Sequence, residues 1–222
     1  LPGLDSYSRL HADPNQENVM NRFIAATLAL GLGYGPTVHA HDTASQGASA
    51  HRCESTDHIV DALTTALAVS RKYQDVAVAE ADGYAPVSPC ESSPDGTMGI
   101  HYAHSDKLAA PPDVANPPIL VYLPTPEGQK LVALEYFQPV IQDGEPYMGS
   151  ASEPPRSDSL PARPPEIFEG QPFDGPMAGH NPDMPWHYDQ HVWLYEDNPD
   201  GLFAMWNPAI ECPAEGTQEA PP

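Results

Sequence analysis

Three side chains have the types and flanking patterns of a metal-ligand set: His101, Glu135 and His191. Each stands in a short run with strand-like composition. In residues 98–102, period-two alternation puts His101 on one face and Ile100 with Tyr102 on the other. In residues 130–137, Leu131, Ala133, Glu135 and Phe137 share a face, so Glu135 is a carboxylate within a strongly apolar strand. An unpaired charge there is costly. In residues 186–195, Asp189, His191, Trp193 and Tyr195 share a face. Two histidines and one carboxylate from separate strands form a donor set used by Zn²⁺ and non-haem iron. Imidazole also suits copper, and three ligands leave coordination positions open. The expected cofactor is therefore a divalent Zn, Fe or Cu ion. The competing reading is structural: Glu135 hydrogen-bonds a tyrosine or backbone amides, and the histidines are satisfied core residues.

The other histidines fit less well. His187 and His191 on one strand lie about 13 Å apart, too far for one ion. His104, His180 and His187 read as solvated loop residues. An N-terminal histidine exposed by processing, at His41 or His51, could chelate copper. However, the Ser/Ala/Gly/Thr-rich stretch between them reads as flexible rather than as a rigid brace. No serine-hydrolase elbow, phosphate loop or dinucleotide fingerprint occurs. Acids in 195–200 match a calcium loop in composition but not in ligand spacing. The pattern names no reaction, so whether the chain is an enzyme stays open.

The elements that must position these residues follow from the chain order. Residues 1–19 are polar and unpatterned and read as a non-native upstream extension. Residues 20–40 have the grammar of a secretory signal peptide: Arg22, an apolar run from Phe23, and Val38-His39-Ala40 before a cleavage point. Processing there makes His41 the first mature residue. Residues 41–54 form a flexible lead-in, 55–212 a single globular domain, and 213–222 a disordered tail. Ser55 or Thr56 caps a helical region in which Ile59, Leu63, Ala66, Ser70, Tyr73 and Ala77 recur on one face. That region is interrupted near Gln74-Asp75, and Asp82-Gly83 ends it. Strands follow, two of them joined by a hairpin at Pro126-Glu127-Gly128-Gln129. Residues 143–185 carry ten prolines and read as a long wrapped loop. The fold class expected is α+β: a mostly antiparallel sheet packed against one long N-terminal helical region, with a long Pro-rich loop.

Composition narrows the partners. There are 31 acids against 9 bases, a formal charge of −22. Phosphate binding needs a basic face, so nucleic acid is excluded as a partner, as is an anionic membrane once the signal is removed. A small molecule or a metal remains, and oligomeric state is not legible. The three cysteines allow three single pairings. Cys90 and Cys212 both flank elements expected in the core, whereas Cys53 lies in the lead-in, so a Cys90–Cys212 disulfide is expected in an oxidising compartment.

Four pieces occur in order: Gly99-Ile100-His101-Tyr102, Leu131-Val132-Ala133-Leu134-Glu135-Tyr136, His191-Val192-Trp193, and a final run. That run is Asn198-Pro199-Asp200-Gly201-Leu202-Phe203-Ala204-Met205-Trp206-Asn207-Pro208. Together with Ala81-Asp82-Gly83-Tyr84, Cys90 and Cys212, they make residues 55–212 resemble a family of secreted bacterial proteins that carries no established activity. The resemblance implies a secreted or periplasmic location and a shared fold, and His101, Glu135 and His191 all fall inside its pieces. Two functions from different classes follow. One is a secreted metal-binding protein using those three residues. The other is a non-catalytic extracytoplasmic binding or structural domain built on an aromatic core.

Overall fold

The computed structural model describes residues 46–180 and 183–213, with side chains from residue 57 onward. The expected extension, the signal peptide, the start of the lead-in and all but the first residue of the tail lie outside the described residues.

A helix, α1 (Gln46–Ser70), opens the described chain, so helical backbone begins upstream of the expected cap at Ser55 or Thr56 and includes part of the lead-in. A 3₁₀ turn over Arg71–Gln74 interrupts it, and Asp75 starts α2 (Val76–Ala81) by accepting a hydrogen bond from the Ala77 amide. This break resets the helical phase. Ala66, Ser70 and Tyr73 are buried as the spacing predicts, but after the turn Ala79 faces inward and Ala77 is exposed. Gly83, at φ +98°, closes α2: its amide reaches the Glu80 carbonyl, and the Tyr84 amide reaches that of Ala79. Paired bonds of this kind satisfy the last carbonyls and need a left-handed residue.

The strands are β1 (Ala85–Pro86), β2 (Glu91–Ser93), β3 (Gly96–Ala103), β4 (Ile119–Thr125) and β5 (Gly128–Pro139). After them come β6 (Ile141–Gln142), β7 (Glu145–Pro146), β8 (Glu166–Phe168), β9 (Gln171–Pro172), β10 (Asp174–Met177) and β11 (His187–Val192). A single turn, α3 (Ser105–Leu108), follows β3. Seven strands form one antiparallel sheet in the order β1-β3-β4-β5-β11-β10, with β2 also paired to β3. The proline-rich stretch is not a structureless loop: it contributes β7 to β9 in two small hairpins and β10 as a sheet edge. Proline is tolerated there because these strands are short and lie at edges.

One face of the sheet carries the main core. Ile100, Tyr102, Leu120, Tyr122, Leu134 and Tyr136 pack there with Ala66, Tyr73 and Ala79 from the helical layer. Buried tyrosines must also satisfy their hydroxyls. Tyr122 donates to the Tyr73 carbonyl (2.6 Å), Tyr84 to that of Pro117 (2.7 Å) and Tyr136 to that of Val114 (2.9 Å).

The opposite face holds two smaller apolar clusters. Val121, Val132, Ala133, Trp193 and Ile210 form one, and Ala103, Ile119 and Phe137 the other. The C-terminal segment covers the first: Asn207 exchanges backbone bonds with Thr97 of β3, and Cys212 is joined to Cys90. Met184, just before β11, packs on the second. Two expectations about this face need correction. A β-bulge at Val132 places Ala133 opposite Val121 but Leu131 opposite Tyr122, so Leu131 joins the main core while Ala133, Glu135 and Phe137 stay on the second face. Strand β11 also ends at Val192. Tyr195 therefore turns away from Asp189, His191 and Trp193, and its hydroxyl meets Ser70 Oγ at 2.8 Å.

Candidate metal centre

Between the two small clusters lies a group of buried polar side chains. Strand register brings it together. Glu135 on β5 is directly opposite His191 on β11 and, on its other side, Ile119 on β4. His101 on β3 belongs to the next row, opposite Val121, which in turn faces Ala133. Strands β3 and β5 are separated by β4, hence by about 9.5 Å. The compact Val121 and Ala133 leave His101 room to reach over β4, and its Nε2 stands 3.2 Å from Glu135 Oε2. His191 Nε2 lies 3.8 Å from the same oxygen. The two imidazoles are nearly perpendicular, with centroids 6.0 Å apart.

All three expected ligands therefore converge: one donor atom from each lies within 4.8 Å of the others, and Glu135 and His191 are 2% and 1% exposed. Two donors bound to one ion at about 2.1 Å and a tetrahedral angle are about 3.4 Å apart, and the two measured separations bracket that value. With Glu135 ionised, hydrogen bonding leaves the arrangement incomplete. Glu135 Oε2 and both ring nitrogens of His191 have no hydrogen-bond partner among the described residues. Each such buried group costs about 1–3 kcal/mol.

The protonation pattern follows from neighbours. Ser88 Oγ donates to the Pro89 carbonyl (2.8 Å), so its lone pairs accept from the His101 amide (3.2 Å) and from His101 Nδ1 (2.9 Å). Nδ1 thus carries the ring proton, and Nε2 presents a lone pair to Glu135. Burial, followed by the nearby Asp189 and Glu91 charges, raises the Glu135 pKa well above the usual carboxylate range. Burial, then His191, lowers that of His101 to about 4, and burial lowers that of His191. Without a cation the favoured state is a neutral carboxyl between neutral imidazoles. A cation reverses the balance at Glu135, because its positive charge stabilises the ionised form.

Strand β11 brings two residues that were not expected to take part. His187 is fully buried, not a solvated loop residue, because it opens β11 beneath the segment before it and stacks on Phe137. Its Nδ1 donates to the Pro185 carbonyl at 2.9 Å, and its Nε2 stands 3.5 Å from Asp189 Oδ2. Asp189 is 1% exposed. Burial pushes its pKa up, but His187, His191 and His180 together bring it below the usual value. At the solvent side His180 stands 3.6 Å from Glu91, and that carboxylate raises its pKa. His104 is half-buried and meets Tyr84 edge-on. The available signal was the alternation in His187-Tyr188-Asp189-Gln190-His191, which puts three donor residues on one face.

Cys90 and Cys212 form the expected disulfide, with Cα atoms 5.9 Å apart. Cys53 lies on α1, among residues whose side chains are not described. In the acidic 195–200 run, Glu196 pairs with Lys130. No helix among the described residues is long and apolar enough to cross a membrane. No family model, curated protein or solved structure matches the chain.

Proposed function

We propose that this is a secreted or periplasmic metal-binding protein that holds a divalent cation, of the Zn, Fe or Cu group, through His101 Nε2, Glu135 and His191. The observation that carries the reading is the unpartnered Glu135 oxygen, buried between two imidazole nitrogens at metal-ligand spacing. The disulfide supports an oxidising compartment, and the resemblance to secreted bacterial proteins belongs to the same proposal. Burial of all three ligands favours an ion held within the fold over one that turns over a bulky substrate.

The test is metal analysis of tag-free protein exported from its host. About one equivalent at this centre, lost in Glu135→Gln, is the expected result. Gln keeps the volume, and its amide can donate to His101 Nε2 as the neutral carboxyl can, so the metal-free variant should be about as stable as the metal-free parent. Metal content unchanged by Glu135→Gln would overturn the reading, and the same face would then be a polar core of a non-catalytic domain.

A further inference from the structure

The His187–Asp189 pair repeats, on the same sheet face, the features that mark the first centre. The Pro185 carbonyl takes the His187 Nδ1 proton, so in the neutral ring Nε2 carries the lone pair. Nε2 stands 3.5 Å from the Asp189 Oδ2 carboxylate oxygen, a long separation for a hydrogen bond. Neither His187 Nε2 nor Asp189 Oδ1 has a hydrogen-bond partner among the described residues. The two side chains are 0% and 2% exposed, so solvent does not compensate them. The separation of 3.5 Å again matches the roughly 3.4 Å expected for two donors on one tetrahedral ion.

We propose that His187 Nε2 and the Asp189 carboxylate hold a second divalent cation beside the first. The residues around the pair agree with this. Phe137 stacks on the His187 ring and holds it in place, while His180 meets that ring edge-on at 5.6 Å. His180 and Glu91 pair with each other at 3.6 Å on the solvent side. Glu135, Asp189 and Glu91 share this face, and among the described residues no lysine or arginine is paired to any of them. The His187–Asp189 pair uses none of the first centre's ligands, so it stands or falls separately.

Equilibrium dialysis of chelator-stripped protein against Zn²⁺ alone tests the proposal. Wild type should take about two equivalents, Glu135→Gln about one, Asp189→Asn about one, and the double variant none. Thermal unfolding of each metal-free variant checks that it folds. Should Asp189→Asn fail to fold, His187→Gln removes the other ligand and is expected to give the same count. Wild type binding about one equivalent, unaffected by Asp189→Asn or His187→Gln, would overturn the second site and leave the first. One equivalent that survives Glu135→Gln but is lost in Asp189→Asn would keep the second site and remove the first. No binding by wild type would overturn both.

Discussion

Ser88 decides which nitrogen of His101 points into the centre. With its hydroxyl hydrogen on the Pro89 carbonyl, it accepts from Nδ1. Ser88→Ala removes that acceptor and should weaken Zn²⁺ binding by about 10–100-fold with little loss of fold stability, whereas Ser88→Thr should retain most of the affinity. Nitrogen NMR of the His101 ring reads the tautomer directly, and an unchanged tautomer with unchanged affinity would show that Ser88 has no such role. A pH dependence belongs to the same side chains. His101 and His191 have folded pKa values below the ordinary 6.5, so the unfolded chain takes up two protons below pH 6.5 that the folded chain refuses. Glu135 opposes this, since the folded chain retains its proton after the unfolded carboxyl has ionised above 4.5. The balance is close to one proton near pH 5. Metal-free stability should therefore fall by up to about 1.4 kcal/mol per pH unit as pH drops from 6.5 towards 5. Urea midpoints of chelated protein at pH 6.5 and 5 measure it, and a flat profile would contradict the assignment. Bound metal favours neutral histidines and an ionised Glu135, so its stabilising effect should grow as pH rises.

Strand β3 must approach β4 closely enough to hold His101 in register with Val121, and Gly99 makes that approach. It has φ +122°, and a Cβ there would lie 2.7 Å from the Tyr122 carbonyl oxygen. Gly99→Ala should cost about 1–3 kcal/mol in backbone strain alone, with the close contact adding to it. Because His101 is two residues on, Zn²⁺ affinity should fall with stability. A variant with wild-type stability and affinity would show that β3 can relax freely. The bulge at Val132 works in the opposite strand. It lets Leu131 and Leu134 both face the main core while Glu135 remains opposite His191.

The chain closes over the site face through its C-terminal segment. Trp193 donates to the Ala204 carbonyl (2.6 Å), Asn207 bridges to β3, and the disulfide joins positions 122 residues apart. Cys90 immediately precedes Glu91, so the bridge anchors both the cover and one of the outer carboxylates. A Cys90→Ser/Cys212→Ser variant should lose about 2–5 kcal/mol of stability. It should also release metal faster, because the cover over Val121, Ala133 and Trp193 is no longer tethered. Denaturant unfolding and a chelator-release rate measure the two effects, and an unchanged release rate would separate the cover from the metal centre.

Period-two alternation is a local property, and it was enough to place His101, Glu135 and His191 on definable faces of three strands. Cysteine positions relative to those strands pointed to the Cys90–Cys212 pair in the same way, and Asp82-Gly83 marked a helix end. Strand adjacency is not local. That β4 lies between β3 and β5, and that β11 pairs with the far edge of β5, emerges only when the whole sheet packs. Where alternation slips, at the Val132 bulge and after Val192, local reading assigned Leu131 and Tyr195 to the wrong face. His187 shows the limit most clearly. Its neighbours in sequence read as a proline-rich loop, and its burial comes from a segment folding back over β11 and from Phe137 on another strand. The covering layer determines whether a histidine is solvated or becomes a dry lone pair facing a carboxylate, and that layer exists only in the folded chain.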